Sequence, residues 1–179
     1  MILTIGHSTR ALDDLIEMLR AHGVTLLVDV RRFPGSRRQP QFNKESFAQA
    51  LNDAGISYEH AVDLGGRRAP VDGSLNEGLR NPQFRGYADH MATPEFARAL
   101  DRLLEQGERE TVAVMCAEAV PWRCHRSLLA DAIAARGVAV EHIMDAATRR
   151  PHKPTTGAIF HDGQVTYPKQ HEQPSLPLT

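Results

Sequence analysis

The sequence predicts an α/β fold: a single domain with an open, mainly parallel sheet, helices on both faces and a C-terminal β-hairpin. Two patterns lead to it. Short apolar, β-branched runs alternate with stretches of helical periodicity, the signature of βαβ units. Three of those runs also end in polar groups: Gly6-His7-Ser8, Asp29-Val30-Arg31 and Cys116-Ala117-Glu118. Open α/β sheets bind ligands outside the carboxyl ends of their strands, so residues far apart in sequence can converge there.

The elements follow in order. Residues 2–5 (ILTI) are a short strand, and Gly6-His7-Ser8-Thr9 turns into a helix whose apolar stripe is Leu12, Leu15, Ile16 and Leu19. Ser8 or Thr9 is expected to cap that helix and Gly23 to end it. Residues 25–30 (TLLVDV) form the second strand, parallel to the first through a right-handed crossover. A loop at 31–43, with four Arg, two Pro and a Gly, is long enough to be functional. Phe47, Ala50, Leu51 and Ala54 mark a second helix closed by Gly55, and 57–62 is a third strand.

Residues 67–92 are broken by Gly73, Gly78, Pro82 and Gly86 and read as an irregular insertion or lid, with a helical turn or more in QFRGYADHM. Thr93-Pro94-Glu95 starts a helix with cap, proline and acid in order, and Gly107 is expected to end it. Val112–Cys116 is the central strand. Its site loop leads into a helix from Ser127, closed by Gly137, and 138–144 is a last parallel strand. Residues 158–167 form a hairpin around Asp162-Gly163. The domain is expected to span 1–168, with a loose tail at 169–179.

A chain of 179 residues, 41% apolar and 24% charged, suits one soluble domain with a full core. The opening MILTIGHS lacks the basic lead-in of a signal peptide, and no run reaches the roughly 18 apolar residues of a membrane span. Two cysteines make no disulfide framework, so a reducing cytoplasm is expected and no membrane partner. The net charge of −1 argues against a wholesale nucleic-acid coat. Yet of the 21 basic residues only Lys44, Lys153 and Lys169 are lysine, and the arginines pair at 31–32, 37–38, 67–68 and 149–150. Arg gives planar, forked contacts to phosphate or carboxylate that Lys cannot.

Residues 112–129 hold both cysteines. Cys116 reads either as a core thiol or as a nucleophile whose thiolate is favoured by a helix N-terminus and by Arg123, Arg126 and His7. Glu118, two residues on, is a candidate general acid or base, or else a salt-bridge partner of Arg31 or Arg126. A strand-end Cys, a loop, an Arg and a helix resemble the anion cradle of cysteine phosphatases and rhodaneses. Here Cys116 and Arg123 enclose six residues, one more than in those proteins, and Pro121-Trp122 are stiff and bulky. Cys116, Cys124 and His125, with a distant His7, suit zinc or iron by ligand type. Their seven-residue gap is not a knuckle spacing, and adjacent Cys124-His125 rarely chelate one ion. Arg126 at a helix start opposes the dipole and needs an offset from Asp29, Glu118 or a bound anion. Asp29 is placed to orient His7, and Ser36 in the Arg-rich loop to offer a hydroxyl. Histidines 152, 161 and 171 lack useful spacing and read as surface.

The stretches TIGHSTR (4–10), LVDVRRFPGSRRQPQF (27–42), ISYEHAVDLGGRR (56–68) and MCAEAVPWRCHRSLLA (115–130) resemble the motifs of the domain-of-unknown-function family 488. The resemblance covers most of residues 2–145. It implies an α/β protein of bacterial or archaeal type and no particular reaction. The motif residues it carries onto this chain are His7, Ser8, Asp29, Arg31, Pro34, Ser36, Cys116, Glu118, Cys124, His125 and Arg126.

These readings favour a protein with an Arg-rich, thiol-bearing pocket that holds a small anionic, phosphate-bearing or nucleotide-like ligand. Catalysis would fall to Cys116, Glu118 and His7. Binding would fall to Asp29, Arg31, Ser36, Arg123, Cys124, His125 and Arg126. No cofactor and no metal is assigned. The alternatives are a zinc or iron protein using Cys116, Cys124 and His125, or a non-catalytic nucleic-acid-binding module.

Overall fold

A computed structural model gives the fold and describes residues 1–35 and 37–169. Ser36, His171 and the expected tail from residue 170 lie outside the described residues. The elements are β1 (Ile2–Gly6), α1 (Leu12–Ala21), β2 (Leu26–Asp29), α2 (Lys44–Asp53), β3 (Ser57–His60), α3 (Pro82–Met91), α4 (Pro94–Arg109), β4 (Val112–Cys116), α5 (Arg126–Ala135), β5 (Val140–Ile143), β6 (Arg149–Pro151), β7 (Ile159–His161) and β8 (Gln164–Thr166). Short 3-10 turns at Pro40–Phe42, Val62–Leu64 and Pro121–Arg123 lie in the loops at the carboxyl edge.

The six-stranded sheet has the order β3-β2-β4-β1-β5-β6, and all its pairs are parallel except β5–β6. Its central strands are buried on both sides, so they read as unbroken apolar runs rather than alternating ones. Leu15, Leu19, Phe47 and Leu51 of α1 and α2 pack one face with Leu3, Ile5, Leu27 and Met115. Tyr87, Phe96, Leu100, Leu103 and Leu128 of α3, α4 and α5 pack the other with Val28, Val112 and Val114.

This layering places the site. The connections leaving β1 and β2 run through α1 and α2 on one face, and the connection leaving β4 runs through α5 on the opposite face. A crevice therefore opens at the carboxyl ends of β4 and its two neighbours, where ligands bind in such sheets. The register puts those ends level, with Gly6 opposite Cys116 and Asp29 opposite Met115.

Three expectations change. Neither Ser8 nor Thr9 caps α1, because Ser8 takes a left-handed conformation (φ 51°) and its N–H donates to the Ala117 carbonyl; the helix starts three residues later, with Ala11 at its cap. α4 runs through Gly107 to Arg109, and there the glycine leaves room for the Ile2 side chain. Within 67–92, residues 82–91 form a packed helix rather than a lid: the Asn81 side chain accepts from the Gln83 N–H, Pro82 opens the helix, and Tyr87 and Ala88 enter the core. The last parallel strand is β5, as expected; beyond it the sheet gains an antiparallel edge strand, β6, whose Arg-Arg-Pro sequence suits only an exposed edge.

The expected hairpin is β7–β8, with both turn residues, Asp162 (φ 49°) and Gly163 (φ 74°), at positive φ as a two-residue turn of type I′ requires. It closes against α5, which explains why Arg126 through Ile133 are all buried. Among the described residues no helix is long and apolar enough to cross a membrane.

Candidate functional site

The loop after β4 folds back on itself. The 3-10 turn at Pro121–Arg123 returns the chain to the sheet, and α5 starts at once, so Cys124 and His125 come back over the end of β4. Cys124 Sγ lies 3.1 Å from Cys116 Sγ. His125 Nδ1 lies 3.6 Å from Cys124 Sγ and 3.9 Å from Cys116 Sγ. The seven-residue gap and the adjacent Cys-His pair, unpromising by spacing, thus still yield one cluster with all three ligand atoms within 4.8 Å of one another.

Two glycines make this possible. A Cβ on Gly6 would collide with the Glu118 carbonyl, and one on Gly66 would stand 2.7 Å from His125 Nδ1. The imidazole is held between the Gly66 backbone and the Tyr87 ring, 4.9 Å away. Its Nε2 is buried without a hydrogen-bond partner.

The electrostatics are asymmetric. Donation from Cys124 S–H, aided by His125, holds the Cys116 thiol well below the usual thiol range despite burial. The same bond and burial push Cys124 far upward, so of the two thiols Cys116 is the one whose ionised form is favoured. The dithiol floors a pocket of about 280 Å³. Arg31, Arg32, Arg67, Arg123 and Glu118 line it, and Phe33 and Phe84 form part of its wall.

Arg126, the first residue of α5, is 1% exposed. Its Nη2 donates to the carbonyls of Glu118 (2.7 Å) and Ala119 (3.2 Å), while Nε has no partner. Among the described residues no carboxylate lies within ion-pair distance of this guanidinium. The expected offset from Asp29 or the Glu118 carboxylate is therefore not made; backbone carbonyls stand in for it, and a buried cation benefits from a thiolate or an anion nearby.

Asp29 serves Arg31 instead of orienting His7. Its carboxylate accepts from Arg31 Nε and Nη2 (2.6–3.1 Å) and from the Tyr58 hydroxyl (2.8 Å). Arg31 also donates to the Phe42 carbonyl. His7 stacks on Phe42 at 4.2 Å, its Nδ1 bonds the Ser8 carbonyl and its Nε2 lies 3.4 Å from Arg31 Nη1. Burial lowers its pKa. His7, Asp29 and Arg31 thus form one buried cluster between the ends of β1 and β2, and of the three only Arg31 reaches the thiol pocket. Ser36 lies outside the described residues.

Sequence reasoning missed a second polar cluster, built around Asp131 of α5. Asp131 accepts from His152 Nε2 (2.8 Å), the Thr155 N–H (3.1 Å) and the Tyr167 hydroxyl (2.7 Å). His152 Nδ1 meets His142 Nε2 at 3.1 Å, and His142 Nδ1 meets the Thr4 hydroxyl at 2.7 Å. His152, expected at the surface, is half-buried with its side chain turned in to Asp131; His161 is exposed. The available signal was an Asp within the apolar helix LLADAIAA.

The sequence model of the family described as "Domain of unknown function DUF488" matches residues 11–133, well over half of the chain. The chain belongs to the DUF488 family. No curated protein and no solved structure gives a match. The DUF488 match contains the whole dithiol pocket and Arg126, and it stops before β5, His142 and His152.

Proposed function

We propose that this DUF488 protein binds a small anion in the arginine-lined pocket and that the Cys116 thiolate is its reactive group. The observation that carries this reading is the dithiol itself: two sulfurs 3.1 Å apart, with an imidazole beside them, open to a cavity whose charged lining is four arginines and one glutamate. A thiolate at neutral pH is a nucleophile, and planar guanidiniums match the oxygens of a phosphate or carboxylate. Arg32, Arg67 and Arg123 neutralise the ligand, Arg31 is braced by Asp29, and Glu118 at the rim is placed to exchange a proton with a leaving group. The chemistry is a thiol-based hydrolysis or transfer on an anionic substrate.

Alkylation of Cys116 by iodoacetamide, followed by mass spectrometry, tests it. Rapid modification at pH 6.5 that inorganic phosphate slows, and that an Arg67→Ala/Arg123→Ala variant no longer shows protected, supports the reading. A Cys116 that reacts no faster than an ordinary thiol, indifferent to phosphate, overturns it.

One observation favours a second reading. A tetrahedral zinc site with Zn–S near 2.3 Å and Zn–N near 2.0 Å has S···N edges of about 3.6 Å and an S···S edge of about 3.8 Å. The S···N distances here are 3.6 and 3.9 Å, and the sulfurs would have to part by roughly 0.7 Å from their 3.1 Å separation. The fourth position would face the pocket, as in a catalytic site. A stoichiometric ion in metal analysis of the purified protein would make Cys116 a ligand and displace the free nucleophile.

A further inference from the structure

A larger cleft, about 640 Å³, lies beside the dithiol pocket, between the Pro121–Arg123 turn and the edge formed by β6 and residues 152–156, and Phe84 lines both. Its volume suits a ligand of mononucleotide size. Most of its lining comes from residues beyond 133, past the end of the DUF488 match.

Its chemistry is of one kind. Trp122 stands at the cleft, 61% exposed, with Phe84 on the same lining. An aromatic ring this open gains from a flat partner, and base–aromatic stacking is indifferent to which base is presented. Arg150 and Lys153 supply positive charge, and among the described residues no carboxylate lines the cleft. Below them the wall is the His142–His152 pair, whose ring nitrogens are all engaged by Thr4, Asp131 and each other. Burial, with His152 beside it, holds His142 down to about 4, so it is neutral at pH 7. The charge that selects a ligand therefore comes from Arg150 and Lys153, while Ser127 and Thr155 offer hydrogen bonds.

We propose that this cleft is a second binding site, for a nucleoside monophosphate, with the base stacked on Trp122 and the phosphate held by Arg150 and Lys153. The site stands independently of the thiol chemistry, since neither sulfur lines it.

Trp122 is the only tryptophan of the chain and lines this cleft and not the dithiol pocket, so its fluorescence is the signal to follow. Titration with adenosine 5′-monophosphate, excited at the red edge of the tryptophan band, should give saturable quenching. The Arg150→Ala/Lys153→Ala variant should bind at least tenfold more weakly, while adenosine, which lacks the phosphate, should bind wild type and variant alike. Calorimetry on Trp122→Leu, which removes the reporter, should show the same nucleotide weakened at least tenfold. Absence of saturable quenching at millimolar nucleotide overturns the proposal, as does equal affinity in the double variant. Quenching by a single-stranded oligonucleotide but not by the mononucleotide would overturn the free-nucleotide assignment. Cys116→Ser should leave the titration unchanged, which separates this site from the dithiol pocket.

Discussion

The Asp131 cluster is built around the body of α5 and the Cys116 cluster around the loop that leads into that helix, and they are finished differently. Around Asp131 both imidazoles have partners on both nitrogens, and the carboxylate takes three donors. Around Cys116 a buried imidazole nitrogen and a buried guanidinium nitrogen have none, and a cavity opens beside the sulfurs. A buried polar group without a partner costs about 1–3 kcal/mol, so incompleteness of this kind is expensive to carry. The closed network is a strut that ties residues 148–167 onto α5. The open one is where an additional group would be stabilised.

The largest test of that contrast is Asp131→Ala. It strands His152 and the Tyr167 hydroxyl together, and should lower unfolding stability by about 3–5 kcal/mol in a urea titration. A loss below about 1 kcal/mol would mean that the cluster is not a strut. Next in size is pH. His142 titrates near 6.5 when unfolded and near 4 when folded, so between those values the unfolded chain binds more protons. Its contribution is complete above pH 6.5 and is lost as pH falls toward 4, up to about 3 kcal/mol. His7, also depressed by burial, adds a slope of the same sign, so the measurement is the difference between wild type and His142→Gln, which should have the shallower profile.

On the open side the effects should appear in reactivity more than in stability. Removing the S–H donor with Cys124→Ala should raise the Cys116 pKa and slow its alkylation at pH 6.5. Unchanged alkylation would place the activation of Cys116 elsewhere. The smallest effect belongs to Trp122→Ala, within about 0.5 kcal/mol of wild-type stability, because the ring is mostly exposed.

The difference between the clusters also marks what could be read from residues alone. The strand ends at Gly6, Asp29 and Cys116 were legible because parallel strands buried on both faces are unbroken apolar runs, and the polar residue that stops each run announces the sheet's edge. Cys116, Cys124, His125 and Arg123 gather because they flank one short loop. Asp29 was misassigned because pairing across strand ends depends on rotamers: its carboxylate reaches Arg31, two residues on, rather than His7 across the sheet. The Asp131 network was invisible because its members, Thr4, Asp131, His142, His152 and Tyr167, share no spacing and meet only when β5, β6 and the end of the hairpin close on α5. The helix at 82–91 was hidden by its glycine: Gly86 reads as a breaker, yet it lets α3 sit against the 68–70 backbone.

The place of β1 in the sheet has a consequence for how the chain matures. Its two neighbours pair Leu3 with Ala113 and with Glu141, each more than a hundred residues downstream. During synthesis β1 therefore stays unpaired until residues 112–116 and 140–143 have also been made. Such distant pairing slows the search for the native state and leaves an apolar segment open to chaperones meanwhile. The crevice at the end of β4 can thus form only once β1 has met a strand more than a hundred residues away.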